Sequence, residues 1–188
     1  ERLPKASIPY ARIQDLPAPT EVDTTAIEVA MPDKPNATVF GTAALAITNA
    51  EDDFPALALA IRLLGGDADS RIWKRLRERD GLAYGAGARL SGAVFEPRSR
   101  LTLKASVASE RSDDALAALK EELARALRDG FTEDEVARAR GIWLDRRNEA
   151  LRVERSFAGQ LAQGMYNDHD FAWHARYNDR IARLDAPQ

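Results

Sequence analysis

Apolar and polar residues alternate singly from Thr25 to Met31, with Ile27, Val29 and Met31 on one side and Ala26, Glu28 and Ala30 on the other. A period of two predicts a half-buried strand. Pro32-Asp33-Lys34-Pro35-Asn36 reads as a turn, from proline and Asx chemistry. Ala37 to Ile47 is a second strand of small and β-branched residues, and two strands across a short turn predict an antiparallel hairpin. Past Asp52 the period lengthens. Phe54, Leu57, Ile61 and Leu64 mark one face of a helix that Asp52 or Asp53 caps, with Pro55 in its first turn and Gly65-Gly66 at its end. A second helix runs from about Ser70 to Asp80 on Ile72, Trp73 and Leu76, and Gly81 stands where a left-handed C-cap is expected.

Tyr84 to Phe95 and Arg100 to Val107 read as third and fourth strands around a turn at Glu96-Pro97-Arg98-Ser99. In the fourth, Leu101, Leu103, Ala105 and Val107 alternate with Arg100, Thr102, Lys104 and Ser106. The remainder is helical. Leu116, Leu119, Leu123 and Leu127 define a helix over Asp113 to Arg128 that Gly130 closes. Thr132-Glu133-Asp134-Glu135 is a capping box opening a long helix through Trp143 towards Glu154. Two further helices follow, roughly Ser156 to Tyr166 and Phe171 to Leu184. Strand pairs with helices inserted between them imply an α+β fold: a two-layer sandwich, with an antiparallel sheet of about four strands and helices packed on one face. Residues 1–23, with four prolines and no period, read as an extended linker, and 24–188 as one α/β unit.

Composition narrows the function. Charged residues make up 30% of the 188 residues, mixed in sign, for a net charge of −3. That balance argues against a nucleic-acid partner. There is no cysteine, which excludes disulfides, thiolate metal sites and cysteine nucleophiles. No apolar run approaches the roughly 20 residues of a membrane span, and no signal peptide is evident. The chain opens on Glu1 and stops at Gln188 with no tidy ending, so it reads as a piece of a longer protein.

The chemistry-bearing residues are few. His169 and His174 are the only histidines. Five residues apart, they would lie about 140° apart on a helix, facing no common ion. No zinc motif of the H-x-x-E-H kind is present, so no metal site is expected and both read as surface or helix-end residues. No serine stands in a nucleophile elbow. Gly65-Gly66-Asp67-Ala68-Asp69 reads as a helix–helix turn, since its aspartates would repel a phosphate. Asp52-Asp53 and Asp113-Asp114 sit at helix starts, where capping and the macrodipole account for them. Between Ser70 and Tyr84, a helix, a glycine stop and a strand start fix Arg77 relative to Tyr84. A guanidinium and a phenol so held can donate to one carbonyl oxygen and to the oxyanion developing there. Two structural readings stand beside this one. Arg77 neutralises the helix C-terminus or pairs with Glu78 or Asp80, and Tyr84, sharing parity with Ala86, Ala88 and Leu90, is a core residue.

Leu63-Leu64-Gly65-Gly66, then Ser70-Arg71, Leu76-Arg77-Glu78 and Gly81-Leu82-Ala83-Tyr84, resembles the C-terminal halves of pitrilysin/insulinase-type zinc metallopeptidases, mitochondrial processing peptidase and its bacterial relatives among them. The resemblance reaches back to Asp33-Lys34-Pro35-Asn36-Ala37 and forward into Thr132-Glu133-Asp134-Glu135. In that family one half carries H-x-x-E-H and zinc, and the homologous half supplies an Arg and a Tyr, seven residues apart, to the substrate. Arg77 and Tyr84 match that pair, Gly81 matches the motif's glycine, and Gly65, Gly66, Ser70 and Arg71 support the match. The resemblance therefore implies the zinc-free, substrate-side domain of an endopeptidase that cleaves peptides or unfolded polypeptide in an enclosed chamber. This chain alone is expected to be inactive and to hold no cofactor, with zinc in a homologous partner domain. It implies one subdomain of the C-terminal half, cut before its final strand. The setting would be the bacterial periplasm or cytoplasm. The alternatives are a non-catalytic scaffold of the same fold and an unrelated α+β binding module.

Overall fold

The computed structural model describes residues 25–31 and 33–186; the linker expected over 1–23 lies outside them. Three strands, β1 (Asn36–Leu45), β2 (Ala83–Ser91) and β3 (Ser99–Ala108), form one sheet in the order β1-β3-β2, with both pairings antiparallel. Six helices accompany it. They are α1 (Phe54–Gly65), α2 (Arg71–Trp73, continuing as a π-helix over Lys74–Arg79), α3 (Ser112–Asp129), α4 (Glu133–Arg152), α5 (Glu154–Asn167) and α6 (Phe171–Ala182).

The expected first strand does not form. Thr25 to Met31 carries no regular structure, and Ile27, Val29 and Met31 are 83%, 76% and 65% exposed. Single alternation describes a segment suited to a half-buried surface, and the described residues give this one no layer to bury against. β1 therefore pairs with β3, from Asn36↔Ala108 to Leu45↔Ser99, and not with a preceding hairpin partner. The expected hairpin of the third and fourth strands does form, from Ser91↔Arg100 to Ala83↔Val107. β2 stops at Ser91, short of Phe95.

Strand parity sorts the two faces. Val39, Ala86, Ala88, Leu90, Leu101, Leu103, Ala105 and Val107 point inward and pack with Ile61, Leu64, Ile72, Leu76, Ala118 and Leu119. A second cluster of Phe54, Leu59, Val136, Ala139, Tyr177 and Ile181 joins α1, α4 and α6. Among the described residues no helix covers the opposite face of the sheet, where Phe40, Arg89, Arg100 and Lys104 are exposed.

In α3 the inward face is Ala115, Ala118, Leu119 and Glu122, all buried, whereas Leu116 and Leu127 are 39% and 80% exposed. The leucine stripe thus misplaces the buried face by one position. Alanines let the helix lie close to its neighbours, and the carboxylate of Glu122 is buried because Arg75 and Arg125 hold it at 3.3 and 2.5 Å. Asp53 occupies the cap position of α1 without a side-chain capping bond. Thr132 and Glu135 form the expected capping box of α4, with both reciprocal bonds present.

Candidate functional site

The segment singled out in the sequence closes α2 in an unusual way. Over Lys74–Arg79 the helix widens to π geometry, a form frequent at functional sites. Asp80 N–H donates to the Arg75 carbonyl at 3.0 Å and Leu82 N–H to the Leu76 carbonyl at 2.8 Å. Each bond spans one residue more than its α-helical counterpart. Gly81 then turns the chain with φ +59°, a left-handed conformation that costs a residue with a Cβ about 1 kcal/mol.

Strand β2 begins with a bulge. Ala83 pairs with Val107 and Gly85 with Ser106, so Tyr84 is one residue too many. A bulge re-aims the side chain it carries. Parity with Ala86 and Ala88 would send Tyr84 into the core; the extra residue leaves it 60% exposed while Ala83 is buried. Arg77 is exposed as well, and its Nη1 donates to the Ala83 carbonyl at 3.3 Å. It pairs with neither Glu78 nor Asp80, the latter being held by Arg75 at 2.5 Å and by Arg79 at 2.8 Å. The arrangement thus presents a guanidinium tied to the carbonyl preceding an exposed phenol, each with capacity for a further acceptor.

The supporting motif residues act through packing. A Cβ on Gly65 would stand 2.1 Å from the Ala88 backbone nitrogen, and one on Gly87 would stand 2.6 Å from the Gly65 carbonyl oxygen. The end of α1 therefore rests directly on β2. A Cβ on Gly66 would meet the Cα of Arg62 at 2.8 Å. Ser70 is buried and its hydroxyl donates to the Asp67 carbonyl at 2.5 Å, closing the α1–α2 turn. Gly87 was not singled out in the sequence; its one signal was the Gly85-x-Gly87 spacing inside a strand, which marks close backbone approach.

Arg71 ties α2 to α4. Its Nε and Nη2 donate to the two oxygens of Glu135 at 2.8 and 2.7 Å, and its guanidinium lies 4.4 Å from the centre of the Phe131 ring. The Arg71 hydrogen bond, opposed by burial and helped by Thr132 N–H, holds the Glu135 carboxyl at about 2, below its ordinary 4.5. A depressed carboxyl stabilises the fold above its unfolded value and loses that contribution as pH falls towards its folded value. Stability worth on the order of 1–2 kcal/mol at neutral pH, after screening by solvent, should therefore be lost between about pH 5 and pH 2. Urea unfolding at pH 7 and pH 3 measures it. Glu135→Gln should lower stability at pH 7 and flatten the loss across this window.

His169 and His174 are not arranged as two positions of one helix. His169 precedes α6 and stacks on Trp173 at 3.8 Å between ring centres, and His174, within α6, meets the same indole edge-on at 5.0 Å. Arg147 Nη2 contacts His174 Nδ1 at 2.5 Å. Burial, and for His174 the Arg147 cation, push both imidazoles below their ordinary range. A guanidinium against one imidazole does not fit a zinc site, and among the described residues no group of three or more histidines or carboxylates is placed to hold a metal ion. The pair instead lines an apolar groove of about 460 Å³ between α4, α5 and α6, walled by Leu151, Phe157, Leu161 and Phe171. Among the described residues no helix is long and apolar enough to cross a membrane.

A family model described as the peptidase M16 inactive domain matches residues 3–142. Solved structures share the fold. The peptidase M16 inactive domain from Pseudomonas fluorescens has a TM-score of 0.68 at 20% identity, over 79% of this chain and 35% of that one. A protease from Helicobacter pylori has a TM-score of 0.71 at 18% identity, over 84% of this chain and 37% of that one. The periplasmic protease PqqL from Escherichia coli has a TM-score of 0.70 at 18% identity, over 86% of this chain and 18% of that one. Among curated proteins none matches.

Proposed function

The chain belongs to the peptidase M16 inactive-domain family, and on that premise we propose that it is the substrate-side, zinc-free domain of a zinc metalloendopeptidase. The metal and the hydrolytic water belong to a homologous partner domain, on the same chain or another. Arg77 and Tyr84 hold the substrate backbone and donate hydrogen bonds to the carbonyl oxygen as it gains charge. The observation that supports this most is the bulge at Tyr84. It exposes a tyrosine that strand parity would bury, and it does so at the carbonyl to which Arg77 is tied.

Adding a zinc-bearing partner domain and following a fluorogenic peptide tests the reading. Arg77→Ala and Tyr84→Phe should each lower kcat roughly ten- to a hundredfold, the scale for loss of one of two transition-state donors. Both side chains are exposed, so thermal melting should hardly move. Wild-type turnover in both variants would sink the assignment. The apolar groove beside α5 supports the alternative of a non-catalytic assembly domain, with which no partner restores hydrolysis.

A further inference from the structure

The helix-free face of the sheet is one-sided in charge. On β3 it carries Arg100, Thr102, Lys104 and Ser106; on β2 it carries Gly85, Arg89 and Ser91; on β1 it carries Thr38, Phe40, Thr42 and Ala44. Arg89, Arg100 and Lys104 are all exposed, and no acidic residue stands among these positions. Arg89 lies opposite Thr102, so Arg100 and Lys104 are its two diagonal neighbours, each about 7–8 Å away between backbones. Among the described residues none of the three has an ion-pair or hydrogen-bond partner, whereas Arg62, Arg71, Arg75 and Arg125 all have carboxylates. Three uncompensated cations at cross-strand distance repel one another. They do so on a chain whose net charge is −3.

We propose that this face selects the substrate, and that it takes extended polypeptide segments bearing acidic side chains four residues apart. The inference rests on the peptidase reading for its occupant and deepens it. Lys104 and Arg100 are four residues apart on one strand, about 13 Å. Side chains four apart on an extended peptide repeat at the same spacing, so two carboxylates on one face of such a peptide meet both cations. Arg89 stands between them on the neighbouring strand. Gly85, where an added Cβ would meet nothing within 4 Å, leaves the surface low at the Tyr84 end, and exposed Phe40, opposite Lys104, adds apolar contact. Tyr84 sits at the same end of the sheet as Val107, three residues from Lys104 and seven from Arg100 along β3. Acidic residues are therefore favoured about three and about seven positions from the carbonyl held at Tyr84.

The test is binding to the full chain, which requires no zinc. Fluorescence anisotropy compares labelled twelve-residue peptides with two Glu four apart, with Gln in their place and with Lys in their place, beside a single-stranded RNA dodecamer. The Glu peptide should bind about tenfold tighter than the Gln peptide at low salt, and the Lys peptide weakest. Arg89→Glu, Arg100→Glu and Lys104→Glu together should reverse the order of the Glu and Lys peptides while leaving the melting temperature within a few degrees. Equal binding of the Glu and Gln peptides, or a Glu preference that survives in the triple variant, overturns the proposal. RNA binding tighter than the Glu peptide overturns it in favour of a nucleic-acid surface. Failure here leaves the kcat effects at Arg77 and Tyr84 untouched. Conversely, loss of those effects with the Glu preference intact refutes the peptidase reading and not the acidic-segment surface.

Discussion

Gly65→Ala should unfold the chain at markedly lower temperature, although it adds only one methyl group. The new Cβ would stand 2.1 Å from the Ala88 backbone nitrogen and 2.6 Å from the Ala88 Cβ. Neither obstacle is the end of a flexible side chain, so relief requires α1 to lift off β2. That movement opens the cluster containing Leu64, Ile72 and Leu76. The cost belongs at the top of the overpacking range, about 3 kcal/mol, or a fall of roughly 6–12 °C in Tm for a chain this size. Gly141→Ala is the control. Gly141 is exposed within α4 and its added Cβ meets nothing within 4 Å, so the substitution should stabilise the helix by roughly 0.5–1 kcal/mol. Calorimetry of both variants decides it; equal small shifts would contradict the packing described for Gly65.

Leu76→Ala should cost about 2–5 kcal/mol, the range for truncating a fully buried leucine. Leu76 is 0% exposed and lies in the π-helical part of α2, next to Arg77. Its carbonyl accepts the Leu82 N–H that closes the turn. A cavity there loosens the support of Arg77 and the start of β2 together. In the reconstituted peptidase, kcat should therefore fall along with urea stability, whereas Arg77→Ala should lower kcat alone. Retention of full turnover at reduced stability would show that the corner does not depend on this packing.

Much of this was legible from period and punctuation. α1, the body of α2, β3 and the left-handed Gly81 follow from apolar spacing and glycine position, because those segments bury one continuous face, and α4 follows from its capping box. The fold class followed from the order of strands and helices. Thr25 to Met31 misled because alternation reports suitability for burial and does not supply a surface to bury against. The buried edge of α3 was missed because alanines and a charge-paired Glu122 form it, and neither is a hydrophobic signal. At the site, spacing placed Arg77 and Tyr84 on either side of Gly81. Parity points Tyr84 into the core, and the bulge that exposes it has no marker in single-residue periodicity. Arg71 and Glu135 were read separately, one in a motif and one in a capping box. Their bidentate contact spans 64 positions and is a product of tertiary packing.

The widened end of α2 and the bulge opening β2 are both one-residue insertions in phase, one on each side of Gly81. Chain length in this corner thus sets where both side chains stand. Removing one residue from 74–79 would rotate the helix beyond the cut by about 100°. Removing one at the start of β2 would send the tyrosine to the opposite face of the sheet. Substitution scanning, which keeps length constant, is blind to both. Single-residue deletions are the genetic changes to which this corner should be least tolerant, even where the deleted side chain touches nothing.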